Sequence, residues 1–241
     1  MTLFNRRVAG IAALVLLASG LAFGLAACGD NEPEQRKAFM AFLQQMNDRP
    51  GVHVMKPTAE DEKAFGDYTK HYDVILGFNR DMGELSKQFE QQMTKITGGV
   101  NRNIEQMAAH RDDLVAVGTL IEQWQPSIEK RFAQADAERA ALKQPDDLKA
   151  VYDKTFARVI TAPVRAIQKS NQALAEGAKV SLQLADYINS HRDKLTVNGS
   201  QVLAKDNKTL AEVGALLKAH QEAGKRFQDV QRDGQKLLQG G

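Results

Sequence analysis

The chain has 241 residues, a formal net charge of +2, one cysteine and one tryptophan. A single cysteine excludes an intramolecular disulfide framework and a Cys-rich zinc site, and near-neutral charge argues against a nucleic-acid binder working through a basic field. Six prolines and 18 glycines are too few for a collagen-like or proline-rich chain.

Arg6 and Arg7 precede an apolar stretch from Val8 to Ala27. Basic residues before an apolar run that ends in small residues form a secretory signal pattern. The run closes on Leu25-Ala26-Ala27-Cys28, which resembles the lipobox of bacterial lipoproteins. That resemblance implies cleavage before Cys28, a diacylglyceryl group on its thiol, and acylation (as by palmitate) of its new amino group. A transmembrane anchor is the competing reading, because the run is about long enough to span a bilayer. Against it, the only cysteine stands at the one position the motif requires. Residues 1–27 therefore read as a lipoprotein signal peptide and 28–32 as a lipidated tether. In Gram-negative lipoproteins an Asp directly after the cysteine retains the protein at the inner membrane. Here Gly29 takes that place, with Asp30 one later. The expectation is a protein of the cell envelope, anchored through Cys28 and facing the periplasm, with the outer membrane favoured over the inner. Without Arg6 and Arg7, 30 basic and 30 acidic residues remain, so no polybasic membrane patch is expected.

Gln35 to Met46 carries Phe39, Phe42, Leu43 and Met46 at helical spacing, after Pro33 in an allowed first turn. Asp48-Arg49-Pro50-Gly51 ends that helix. Thr58 with Asp61 three residues on resembles a capping box. Phe65, Tyr68, Tyr72, Ile75, Asn79, Met82, Ser86, Phe89, Met93 and Ile96 then alternate spacings of three and four. A 3.5-residue period this long predicts one helix over 58–97 packing along its length, with Asn79 and Ser86 in its seam. Gly98-Gly99 breaks it. The pattern resumes as Val100, Ile104, Met107, Arg111, Leu114, Gly118, Ile121, Trp124 and Ile128, with a kink or restart expected at Pro126. Gln144-Pro145-Asp146-Asp147 is the next turn. Leu148, Tyr152, Phe156, Val159, Ile167, Leu174, Ala178, Ala185 and Ile188 form another stripe, with a kink expected near Thr161 before Pro163. The segment 195–203 has β-type flanks around Asn198-Gly199, a two-residue hairpin signal. A final helix runs from about Asp206 to Leu238, with Leu210, Val213, Leu217, His220, Gly224, Phe227 and Leu238 on one stripe. Together these predict an all-α fold: an elongated antiparallel helical bundle of long kinked helices with one short β-hairpin, in a single domain over 33–238.

Several of these segments resemble one family. Gln35-Arg36-Lys37-Ala38-Phe39 and Phe42-Leu43-Gln44 look like the segment after the lipidated cysteine in the YiaF-type enterobacterial lipoproteins. Ala141-Leu142-Lys143-Gln144, Asp146-Asp147-Leu148-Lys149, Thr161-Ala162-Pro163 and the late Asn-Gly hairpin are similar too. The resemblance implies an envelope lipoprotein with a domain of unknown function. It transfers a role to Cys28 and to no catalytic or binding residue.

The chemistry-bearing residues form no recognisable constellation. His53, His71, His110, His191 and His220 include no i, i+4 pair and no His-Glu-x-x-His. His71 reads as a helix-flank residue and His220 as a partly buried structural histidine. Asp112-Asp113 and Asp146-Asp147 are neighbours that do not face each other on a helix, and the second pair suits a helix start. No Gly-x-Ser-x-Gly elbow or phosphate loop is present; Gly98-Gly99 lacks the following Lys-Ser/Thr. Trp124 reads as a core anchor beside Pro126 more readily than as a contact surface. Lys130-Arg131 and Lys225-Arg226 read as solvated helix faces.

The sequence thus points to no enzyme, no cofactor, no metal and no nucleic-acid partner. Its first functional reading is a non-enzymatic structural or adaptor lipoprotein, attached to the membrane at Cys28 and offering a bundle face to an envelope protein. The second is a carrier of a small apolar ligand or lipid between the long helices, where Gly77, Gly83, Gly118 and Gly177 leave room. A hydrolase assembled from distant acids and histidines is the third.

Overall fold

The structure, a computed structural model, describes residues 31–98 and 102–240. Cys28 and the apolar run before it lie outside the described residues. The described residues form eight α-helices and one two-stranded hairpin, the fold class expected from the periodicity.

Helix α1 spans Glu32–Asp48, with Pro33 in its first turn and Phe39, Phe42, Leu43 and Met46 buried. Helix α2 (Ala59–Phe65) opens on the expected capping box: the Thr58 hydroxyl accepts from the Asp61 amide, and the Asp61 carboxylate accepts from the Thr58 amide. The continuous helix predicted over 58–97 is in fact broken. Gly66 ends α2 at φ 56°, a 3-10 turn covers Gly66–Tyr68, and α3 runs Thr69–Thr97. Only glycine adopts that φ without strain. The seam is interrupted as well. Asn79 and Ser86 are exposed, whereas Phe78 is buried and Leu85 packs against the core. A straight helix drifts only about 20° per heptad against a 3.5-residue repeat, and Met82 of the same seam stays buried.

Helix α4 (Ile104–Ala109) is separated from α5 (Arg111–Ala141) by a break at His110. Pro126 causes no restart; α5 passes through it as one helix of 31 residues. Helix α6 (Asp146–Phe156) leads into a π-helical segment, Ala157–Thr161, and then α7, Ala162–Ser190. This is the distortion expected before Pro163. A proline ring crowds the carbonyl four residues earlier, and here the Ala162 amide donates five residues back, to Ala157. The hairpin pairs β1 (Leu195–Asn198) with β2 (Gln201–Ala204), and Asn198 pairs with Gln201. Its two-residue turn is therefore Gly199-Ser200, one position later than the expected Asn198-Gly199. Gly199 takes a positive φ of 60° as the first turn residue, which Gly-Ser suits. Helix α8 spans Asn207–Gln239 and buries Thr209, Val213 and Ala223, while Leu210 and Leu238 of the predicted stripe stay exposed.

The packing order is α3 on α5, α5 on α7 and α7 on α8, each pair antiparallel. Phe89 meets Trp124 and Asp81 meets Arg131; Arg111 meets Asp186 and Gln125 meets Asn171; Glu176 meets Arg226 and Ser181 meets His220. Helix α1 instead runs parallel to α6. Arg36 pairs with Asp147, Asn47 donates to Thr155, and Arg158 donates to the carbonyls of Arg49 and Gly51. Two apolar cores result. One joins α1, α2, the start of α3, the end of α5, and α6 around Phe39, Tyr72, Ile128 and Tyr152; the other joins α4, the end of α7, the hairpin and the start of α8 around Leu184, Ile188, Leu195 and Val213. Each fully buried leucine or isoleucine in them stabilises the fold by about 1.5–3 kcal/mol.

Candidate functional site

Between the two cores, stretches of four helices do not close on one another. They enclose a cleft of about 540 Å³. Helix α3 contributes Phe89 and Met93, the end of its stripe beyond the first core. Helix α5 contributes Trp124, whose indole stacks on Phe89 at 4.0 Å between centroids. Helix α7 lines the floor with Pro163, Ala166, Ile167 and Leu174, and adds Ser170 and Asn171. The far wall is the C-terminal half of α8, with Phe227, Leu237 and Leu238 beside Gln231, Gly234 and Gln235. None of the fifteen lining residues is charged. At 540 Å³ the cleft falls inside the roughly 300–1,000 Å³ of small-molecule sites, which are lined mostly by apolar side chains with few polar groups.

Three features hold this geometry. The cleft begins where the π-helical segment hands over to α7, at Pro163. The end of α8 is clasped to the loop after α1: the Val52 amide donates to the Leu238 carbonyl at 3.1 Å, and Gly51 accepts from Arg158 at 2.8 Å. Asn171 is buried and donates to Gln125 at 2.8 Å, fixing α7 against α5. On the other flank of α7 lies a second, wider groove of about 710 Å³, and this one is charged, with Glu122, Glu129, Arg165 and Lys169 on its walls.

The structure leaves the titratable candidates dispersed. Among the described residues no three His, Cys, Asp or Glu side chains gather where a metal ion would be held. Asp146 and Asp147 occupy the first turn of α6 and Asp112 and Asp113 that of α5, where carboxylates complement the helix dipole. Asp147 also pairs with Arg36, and Asp113 with Arg102. His71 is half-buried and its Nδ1 lies 3.1 Å from Gln144 Nε2. His220 is half-buried with Nδ1 3.1 Å from the Ser181 hydroxyl, the structural setting expected of it. Burial holds both rings below the ordinary histidine pKa, the Asp67 charge opposing this at His71.

A pH dependence follows from the two rings. Their folded pKa values are depressed, so below about pH 6.5 the unfolded chain binds more protons than the folded one, and stability falls as pH drops. Above that value their contribution is complete. Between about pH 7 and 5.5 the denaturant midpoint should decline, and the double substitution His71→Gln with His220→Gln should flatten the decline. An unchanged slope in the double variant would assign it to other groups.

Sequence reasoning offered room between the long helices as a second reading but not this lining. Trp124 packs against the first core, as expected, and its half-buried side chain also lines this opening. Gly77, Gly83, Gly118 and Gly177 do not line it; Gly234 does. Phe89, Met93, Leu174, Phe227 and Leu238 were visible as stripe members on three separate helices. Cys28, the one residue with a sequence-assigned role, lies outside the described residues. No helix among the described residues is long and apolar enough to cross a membrane.

The pattern of a family described as "Protein of unknown function (DUF3053)" matches residues 13–235. The chain belongs to the DUF3053 family. The match covers all of the cleft lining except Leu237 and Leu238. "Uncharacterized protein YiaF" of Escherichia coli (strain K12) is 29% identical over 232 residues, which cover 91% of this chain and 93% of that protein. The proteins of the same name in Escherichia coli O157:H7 and Shigella flexneri are similar to the same extent. The resemblance carried by residues 35–44, 141–149 and 161–163 thus extends along nearly the whole DUF3053 chain. No solved structure matches it.

Proposed function

We propose that this DUF3053 protein is a lipid-anchored, non-enzymatic carrier of the bacterial envelope. It is held to the membrane through Cys28, faces the periplasm with the outer membrane favoured, and takes an apolar ligand in the cleft between α3, α5, α7 and α8. The observation that carries this reading is the uncharged, largely apolar cleft of about 540 Å³ between two packed cores. A folded chain gains by burying apolar surface, so an opening lined by Phe89, Trp124, Ile167 and Phe227 marks a place for something else to be buried. The adaptor reading drew on the lipobox, the absence of catalytic spacing and the long α3 stripe. That stripe packs against α5 within the chain, and its last members turn into the cleft.

Two measurements test the two halves of the proposal. Cys28→Ser should abolish palmitate labelling in cells and leave a larger, uncleaved precursor; normal processing of that variant would refute the lipid anchor. Gly234→Phe tests the cleft. A Cβ at Gly234 meets nothing within 4 Å, so the ring can enter the cleft without displacing backbone. Replacing a helix-interior glycine by phenylalanine also gains roughly a few tenths of a kcal/mol in helix propensity. The variant should fold with an equal or higher unfolding midpoint and lose saturable binding of a naphthylamine dye that brightens in apolar surroundings. Dye binding unaffected by the substitution would place the apolar site elsewhere.

A further inference from the structure

We infer that the ligand of this cleft is a single long aliphatic chain ending in an uncharged, oxygen-bearing head such as an ester or a hydroxyl. The inference rests on the cleft being a ligand site and names the class of ligand.

Size and shape point to a chain. A cavity of about 150 Å³ lined by Leu, Ile and Phe holds one benzene. At about 540 Å³, the cleft has room for on the order of twenty carbon atoms on that scale. It is long as well as wide. Its α7 lining runs from Pro163 to Leu174 and its α8 lining from Phe227 to Leu238, about 17 Å along each helix at 1.5 Å per residue. An extended chain follows such a trough, whereas a compact ring system leaves its ends empty.

Charge and hydrogen bonding point to the head. An ionised carboxylate or phosphate taken from water needs a counter-charge or several donors. No cation lines the cleft, and its polar side chains are the neutral Ser170, Asn171, Gln231 and Gln235. Arg165 and Lys169 belong to the groove on the other flank of α7, across the buried Asn171–Gln125 hydrogen bond. A bare hydrocarbon fits less well than an oxygen-bearing chain. Ser170, Gln231 and Gln235 place neutral hydrogen-bonding groups along the lining, and covering them with hydrocarbon alone would take them out of water unpaired. An ester or hydroxyl oxygen gives them a partner.

Trp124 makes the test direct, because it is the only tryptophan of the chain. Bromine quenches indole fluorescence on contact, so a brominated stearic acid and its methyl ester can be titrated in parallel into the full chain at pH 8. The expected result is saturable quenching by the ester, at least tenfold weaker binding of the ionised acid, and loss of ester quenching in Gly234→Phe. Acid binding as tight as the ester's, with both blocked by Gly234→Phe, would overturn the uncharged head while leaving the cleft as a ligand site. Quenching by neither compound, or quenching indifferent to Gly234→Phe, would overturn the cleft reading itself.

Discussion

Phe39→Ala should lower the unfolding free energy by about 3–5 kcal/mol, the range for truncating a fully buried phenylalanine. Phe39 has no exposed surface. Its ring lies 5.2 Å from Phe65, 5.8 Å from Tyr68, 6.3 Å from Tyr72 and 6.4 Å from Tyr152 between centroids. Those four rings come from α2, the 3-10 turn after it, α3 and α6, so one side chain ties α1 to all of them. The truncation loses the transfer energy of the ring, leaves a cavity among neighbours that are themselves large and fixed, and deletes ring contacts worth about 0.5–1.5 kcal/mol each beyond burial. Domains of this kind have only about 5–15 kcal/mol in total. Denaturant unfolding followed by helical circular dichroism measures the loss. A decrease below about 1 kcal/mol would show that the aromatic cluster can collapse around the gap.

Gly51→Val should have the second largest effect and a different signature. Gly51 sits at φ 73°, and a Cβ there would lie 2.2 Å from the carbonyl oxygen of Leu238. The left-handed conformation alone costs an L-residue about 1–2 kcal/mol, and the collision adds to it. The strain is relieved by parting the loop after α1 from the end of α8, which breaks the Val52–Leu238 hydrogen bond. We expect a loss of about 2 kcal/mol or more together with lost hydrogen-exchange protection over the last two turns of α8. Because Leu237 and Leu238 form part of the cleft wall, affinity for the apolar dye should fall in the same variant. Full protection at 232–239 with unchanged affinity would show that the α7–α8 contact alone holds the wall.

The elements were legible where the signal is local. The stripe Phe39-Phe42-Leu43-Met46 marks the buried face of α1. Thr58 with Asp61 marks the start of α2, and Pro163 marks a distortion that the π-helical segment realises. The register of α3 was misread because apolar residues spaced by three or four satisfy several registers at once. The stripe through Asn79 and Ser86 fits a supercoiled seam, whereas a straight α3 buries Phe78 instead. The same stripe ran through Gly66 because glycine does not interrupt a hydrophobic pattern; only its φ of 56° does. At the hairpin, Asn198-Gly199 and Gly199-Ser200 are both acceptable turn pairs, and the cross-strand register chooses between them.

The cleft was not legible for a stronger reason. Phe89, Trp124, Leu174 and Phe227 lie on four different helices, and nothing in any one segment says that its stripe is left without a partner. That property belongs to how α3, α5, α7 and α8 are stacked. Gly234 gave no signal either. Its importance lies in the space beside it, which no residue name records.

The clasp between Gly51 and the end of α8 joins the first loop of the described chain to its last helix. The first core, by contrast, takes no residue from α8. A chain cut short before α8 would keep the aromatic cluster of α1, α2, α3 and α6 and lose the wall of Phe227, Leu237 and Leu238. Truncation would thus separate the two properties, leaving a folded first core beside a trough with a floor and no far side.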